Sequence, residues 1–145
     1  MKNIIIGLTL GLLAAGCILD QETIDAACKV PNTAYIFESG IFAASNIIAN
    51  DSSLAREINT WLLNNRDDWK FDINTYYPDT LVDNDYIRLN IQKSRVILSI
   101  KGGDSWTQYS RAIEPIHLKW KNEIKKMSEQ TGPGYPPQSV GSPDP

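Results

Sequence analysis

The residues able to do chemistry are few, and their spacing is unfavourable for most of it. His117 is the only histidine, and the cysteines are Cys17 and Cys28. Nucleophilic catalysis needs a base within hydrogen-bond reach. His117 falls just past the start of a helix opened by Glu114-Pro115, a place for a surface or partly packed imidazole rather than a triad base. Ser94, Ser105 and Ser110 stand in no G-x-S-x-G context. Carboxylates pair as Asp67-Asp68 and cluster as Asp79, Asp83 and Asp85. Glycoside hydrolysis would need two of them about 5–10 Å apart across a cleft, which spacing alone does not supply. Asp83-Asn84-Asp85 lacks the glycine and distal glutamate of a calcium loop and reads as a solvated turn. Gly102-Gly103-Asp104-Ser105 lacks the lysine and following helix of a phosphate cradle and reads as a hairpin. Two cysteines make neither a disulfide framework nor a tetrahedral thiolate site. No catalytic residue, metal or cofactor is expected, and the chain is read as a non-enzyme.

Cys17 is different, because its surroundings specify a reaction. Lys2 is a minimal basic region. Ile4, Ile5, Ile6, Leu8, Leu10, Leu12 and Leu13 form an apolar core, and Ala14-Ala15-Gly16 supplies small residues where a peptidase cuts. This is a signal peptide by length, charge and cleavage chemistry. The run to Leu19 is shorter than the roughly 20 residues that span a bilayer. Ala14-Ala15-Gly16-Cys17 resembles the lipobox of bacterial lipoproteins, with Ala14 where leucine is usual. The resemblance covers only the first seventeen or so residues. It implies diacylglycerol on the Cys17 thiol, cleavage before it, and two or three acyl chains holding the protein at a membrane. Ile18, not aspartate, follows Cys17. For this class that implies the outer membrane, facing the periplasm, if the host is Gram-negative.

The chain has 145 residues, a formal net charge of -3 and no basic stripe. This suits one domain and excludes a nucleic-acid-binding face. Residues 1–16 read as the signal peptide, 17–32 as a lipid-anchored connector with a helical turn around Glu22 to Ala27, 33–130 as the domain, and 131–145 as a Pro/Gly-rich disordered tail. Cys28, left unpaired by acylation of Cys17, reads as a small buried hydrophobe, with an intermolecular disulfide as the alternative.

Within the domain, Phe37, Ile41, Ala44, Ile47 and Ile48 recur at helical spacing, with Thr33 as a cap. Ser52-Ser53 opens a second helix, with Leu54, Ile58, Trp61 and Leu62 on one face. The period then becomes two. Strands are expected at Trp69–Ile73, Ile87–Ile91, Val96–Ile100 and Trp106–Arg111, with tight turns at Lys93-Ser94 and Gly102-Gly103-Asp104. Ile116, Trp120, Ile124 and Met127 mark the inner face of a last helix. The expectation is an α+β fold of order ααββββα: an antiparallel sheet of about four strands with helices on one face.

One face of such a sheet stays open to water. Arg88, Asn90, Gln92 and Arg95 would lie on it, joined by either Trp106, Gln108 and Ser110 or Thr107, Tyr109 and Arg111. Arginine, tyrosine and tryptophan are the types that concentrate binding energy at interfaces. Arg88, Arg95, Trp106, Tyr109 and Arg111 are therefore the candidate binding residues. The expected function is a lipid-anchored protein-binding module of the cell envelope, in outline like the small lipoproteins that inhibit a cell-wall hydrolase or confer immunity to a toxin. The alternative is a structural or assembly accessory of the envelope, phage- or plasmid-encoded.

Overall fold

The structure, a computed structural model, describes residues 21–131. The expected signal peptide, Cys17 and all of the expected tail but Thr131, which ends the last helix, lie outside them. Three helices and seven strands follow in the order α1 (Gln21–Ala27), β1 (Asn32–Glu38), β2 (Ile41–Ile48), α2 (Ser53–Asn64), β3 (Lys70–Phe71), β4 (Thr80–Asp83), β5 (Ile87–Ile91), β6 (Arg95–Gly102), β7 (Ser105–Ala112) and α3 (Pro115–Thr131). The strands form one antiparallel sheet, β2-β1-β4-β5-β6-β7-β3. The fold is thus α+β, with seven strands where the sequence suggested about four. None of the helices among the described residues is long and apolar enough to cross a membrane.

The largest difference is the helix expected from Tyr35 to Ile48, which is the β1–β2 hairpin. Ser39 and Gly40 form its turn at φ 52° and 79°. Both values are positive, as a two-residue hairpin turn matching strand twist requires. A helix would have placed Gly40 in its interior at a cost of about 1 kcal/mol. Thr33 is then a strand residue, opposite Ile47 and Asp83, and not a cap. The apolar spacing was ambiguous because both faces of this hairpin hold large side chains. Ala34, Ile36 and Ile48 point to the core while Tyr35, Phe37 and Ile47 point away.

The expected strand at Trp69–Ile73 shortens to Lys70–Phe71. Trp69 is buried, but Phe71 and Ile73 are exposed, because the chain leaves the sheet after Asp72. Strand β4 falls in a stretch read as loop. Strands β5, β6 and β7, both of their turns, α2 and α3 form where the pattern put them. Ser52 caps α2 by accepting a bond from the Ala55 N–H at 3.1 Å.

The core lies between one sheet face and the helices. Leu89, Ile91, Val96 and Leu98 from the sheet meet Leu54, Ile58 and Leu62 of α2 and Trp120 and Ile124 of α3. The turn expected around Glu22 to Ala27 is α1, whose Ile24 and Ala27 are buried in this core. Cys28 is half-buried, and burial pushes its thiol pKa up. Glu57 of α2 accepts bonds from Lys119 and from the Trp120 indole, clasping α2 to α3.

Candidate functional site: the outward face of the sheet

Directly paired residues share a sheet face, so the register decides between the two sets of β7 residues. Arg88 pairs with Ser99 and Ser99 with Gln108; Lys101 pairs with Trp106. Trp106, Gln108 and Ser110 therefore point outward with Arg88, Asn90 and Arg95. Tyr109 pairs with Leu98 and Arg111 with Val96, both core residues. Tyr109 and Arg111 thus sit on the helix side, unlike the other three candidates.

Arg111 has a different task there. Its guanidinium lies over Trp61 at 5.2 Å and Trp69 at 5.5 Å, and bonds Glu114 at 2.8 Å. His117 completes this cluster. Its ring meets Trp61 edge to face at 4.4 Å, and it is fully buried, not at the surface. Its Nδ1 accepts the Glu114 N–H at 2.9 Å, while Nε2 is buried with no acceptor. Burial first, with Arg111 nearby, lowers its pKa to about 4, so the ring is neutral at pH 7. The imidazole is a packed structural group.

On the outward face, Arg88 and Arg95 do not converge. Arg88 opposes Ser99, and Arg95 lies four residues further along β6, roughly 13 Å away at ~3.3 Å per residue. Though on neighbouring strands, they face separate parts of the outward side. Arg95 bonds the Tyr76 hydroxyl at 2.7 Å. Arg88 bonds Asp83 through Nε at 3.0 Å and lies 4.1 Å over the Trp106 ring. Desolvation raises the Asp83 pKa, and Arg88 opposes that rise.

A strap missed by sequence reasoning, residues 72–79, divides this face. Asp72 folds it by accepting bonds from the Asn74 backbone and side chain and from Tyr76. The Asn74 N–H, then the Tyr76 and Ser110 hydroxyls, hold the Asp72 carboxyl well below the usual carboxylate range. Sheet side chains fasten the strap. Gln108 bonds the Asn74 carbonyl at 2.7 Å, Gln92 the Tyr77 carbonyl at 2.8 Å, and Asn90 accepts the Asp79 N–H at 3.2 Å. Ile97 points outward between them, yet it is 2% exposed because the strap roofs it. The only advance signal was an Asp-x-Asn turn pattern, which reads as loop in any context.

Among the described residues, no segment covers the other half of the face. Tyr35 and Leu81 are half-buried there, one row along from Arg88, and Ile47 is exposed on β2, while Phe37 and Phe42 lie at the strap's end, where the Phe37 N–H donates to the Asp79 carbonyl at 2.8 Å. Phe37 and Phe42 pack edge to face at 6.1 Å. This half offers an apolar, aromatic surface with one arginine held in place. Asn84, in the Asp83-Asn84-Asp85 turn, spends its side chain on the Tyr86 and Ile87 N–H groups and on Asn32. Among the described residues no three His, Cys, Asp or Glu side chains gather as a metal site. No known protein family, curated protein or solved structure matches the chain.

Proposed function

We propose that the chain is a lipid-anchored, non-enzymatic protein-binding module of the cell envelope, an immunity or inhibitor lipoprotein that captures a toxin or cell-wall hydrolase on the uncovered half of its sheet. The observation behind this reading is the Arg88–Trp106 stack, fixed by Asp83 and bordered by Tyr35 and Leu81. An arginine already ordered on an aromatic ring loses little side-chain entropy on binding. Apolar surface around it supplies area that a partner can desolvate. Cys17 supplies the anchor and the envelope the location.

Affinity capture from envelope extracts, followed by titration of the captured partner, tests the proposal. Arg88→Ala and Trp106→Ala should each weaken that partner by about 2 kcal/mol or more, some thirtyfold. The Arg88 side chain is 39% exposed, so its loss should cost the fold only about 0.5 kcal/mol. Arg95 is committed to Tyr76, and Arg95→Ala should weaken binding less. Full affinity in both Arg88→Ala and Trp106→Ala would rule out this surface.

A further inference from the structure

The end of strand β3 leaves a notch in the sheet. It pairs with β7 only through Lys70–Ser110 and Phe71–Tyr109, and one last bond runs from the Asp72 N–H to the Gln108 carbonyl at 3.0 Å. The chain then turns over the outward face as the strap. Among the described residues no strand lies beside Trp106 and Thr107 on that side of β7. The gap is a cleft of about 490 Å³, bounded by Phe71 to Tyr76 on one side and by Trp106, Thr107 and Gln108 on the other. That size suits a small ligand. Trp106 and Gln108 face outward, whereas Phe71 and Thr107 pair with the helix-side residues Tyr109 and Ile100. The cleft therefore crosses the edge of the sheet and is lined by an aromatic residue from each face.

Its lining disfavours a charged ligand. Asp72 is the one charged side chain there. The Asn74 backbone and side chain, Tyr76 and Ser110 all donate to its carboxylate. Those bonds occupy the roughly four lone-pair sites that a carboxylate has. A cation would find no open oxygen, and an anion would meet the Asp72 charge with no cation in the lining to offset it. Arg88 lies over Trp106 but does not line the cleft. A purely apolar ligand fits no better. Asn74 and Gln108 donate through their amide nitrogens, to Asp72 and to the Asn74 carbonyl, so their amide oxygens remain as acceptors that need a donor. The apolar part of the lining is equally exposed: Phe71 is 68% and Ile73 82% accessible, and neither belongs to the core. An edge-to-face contact with Tyr109 at 6.1 Å steadies the Phe71 ring.

We propose that this cleft binds an uncharged oligosaccharide, with pyranose rings packed on Phe71 and Trp106. A pyranose has a C–H face that packs on the electron-rich face of an aromatic ring. Its rim of hydroxyls supplies the donors that the Asn74 and Gln108 oxygens need. The walls are already set by the bonds of Asp72 and Gln108, so little ordering is lost on binding. The cleft shares Trp106 with the protein-binding surface but not Phe71, so the two readings can fail separately.

Titration of the full chain with chitohexaose, cellohexaose and maltohexaose, up to millimolar concentration and in a detergent without a sugar headgroup, tests the proposal by NMR. Amide signals of residues 71–76 and 106–108 should shift together with at least one of the three. Tighter binding of chitohexaose than of cellohexaose would name an N-acetylated amino-sugar polymer as the source, and the reverse a plain hexose polymer. Phe71→Ala should weaken the binding at least tenfold and keep the thermal midpoint, because the ring is exposed, while Phe71→Tyr should retain both. Capture of a protein partner through Arg88 should persist in Phe71→Ala. No shift with any of the three saccharides would overturn the proposal. So would a Phe71→Ala variant that binds as the wild type does, or shifts confined to residues outside the cleft. A protein partner lost in Phe71→Ala, with no saccharide bound, would overturn it too and extend the protein-binding surface to the β3 edge.

Discussion

At the scale of single residues, two arginines of one sheet and one histidine have separable roles. Arg111 is inside: its side chain is 16% exposed, stacked on Trp61 and Trp69 and bonded to Glu114. Arg111→Ala should destabilise the fold by about 2 kcal/mol, against about 0.5 kcal/mol for Arg88→Ala. Urea unfolding of both variants checks this, and equal losses would contradict the placement. His117 predicts a pH dependence. Its folded pKa is about 4 against 6.5 for the free side chain, so the unfolded chain binds more protons between those values. Stability is therefore present above pH 6.5 and is lost as pH falls toward 4. Between pH 7 and pH 5 His117 alone should cost about 2 kcal/mol. His117→Phe forfeits the Glu114 N–H bond but also this titration. Unfolding of wild type and variant at both pH values should show the gap between them narrowing by that amount at pH 5. A gap independent of pH would mean that the imidazole titrates normally in the folded protein.

At the scale of elements, the β1–β2 turn and the strap are each held by a local device. Ser39 at φ 52° is strained and Gly40 at φ 79° is not. Ser39→Asn should stabilise by a few tenths to about 1 kcal/mol, since asparagine tolerates that conformation. Gly40→Ala should destabilise by about 1 kcal/mol through φ alone, because an added Cβ meets Tyr77 at an ordinary 3.6 Å. Thermal midpoints that move in opposite directions would agree with the hairpin. The strap depends on Asp72. Asp72→Ala removes the acceptor for Asn74 and Tyr76, so chymotrypsin should cleave at Tyr76 or Tyr77 several-fold faster, and the Ile97 amide should exchange faster. Unchanged cleavage would show that Gln92, Asn90 and Gln108 hold the strap without it. These two elements also mark where the sequence was legible and where it was not. Ile87 to Arg111 alternates cleanly because one face packs on helices, so β5, β6, β7 and their turns could be read. The β1–β2 hairpin has large apolar side chains on both faces, and its periodicity fitted a helix as well as a strand. The strap is an irregular segment fixed by long-range bonds to Asn90, Gln92 and Gln108, which no local period encodes. The candidate site was half legible for the same reason. Alternation named both rows of β7, but only pairing with β6 chose Trp106 over Tyr109 and Arg111.

At the scale of the whole molecule, the sheet separates stability from recognition. Its helix side contains the core, and its outward side holds Arg88, Trp106 and the uncovered apolar half. The core begins close to the proposed anchor. Ile24 of α1 is 1% exposed, so Ile24→Ala should cost about 2–4 kcal/mol, and α1 belongs to the folded unit rather than to a free tether. Cys17 and Gln21 are separated by four residue steps, which span at most about 14 Å in any conformation. An acylated Cys17 would therefore hold the start of α1 within that distance of the lipid headgroups and confine all copies to one layer. The matching prediction concerns Cys17→Ser in the full chain. The variant should appear in the soluble fraction or remain unprocessed, because serine cannot form the thioether. Its thermal midpoint and its His117-dependent pH profile should match those of the wild type, since the core and the His117 cluster are built from Ile24 onward. Affinity per molecule for the captured partner should also hold, because the Arg88–Trp106 surface is intact. A processed Cys17→Ser protein that still fractionates with membranes would refute the lipid anchor.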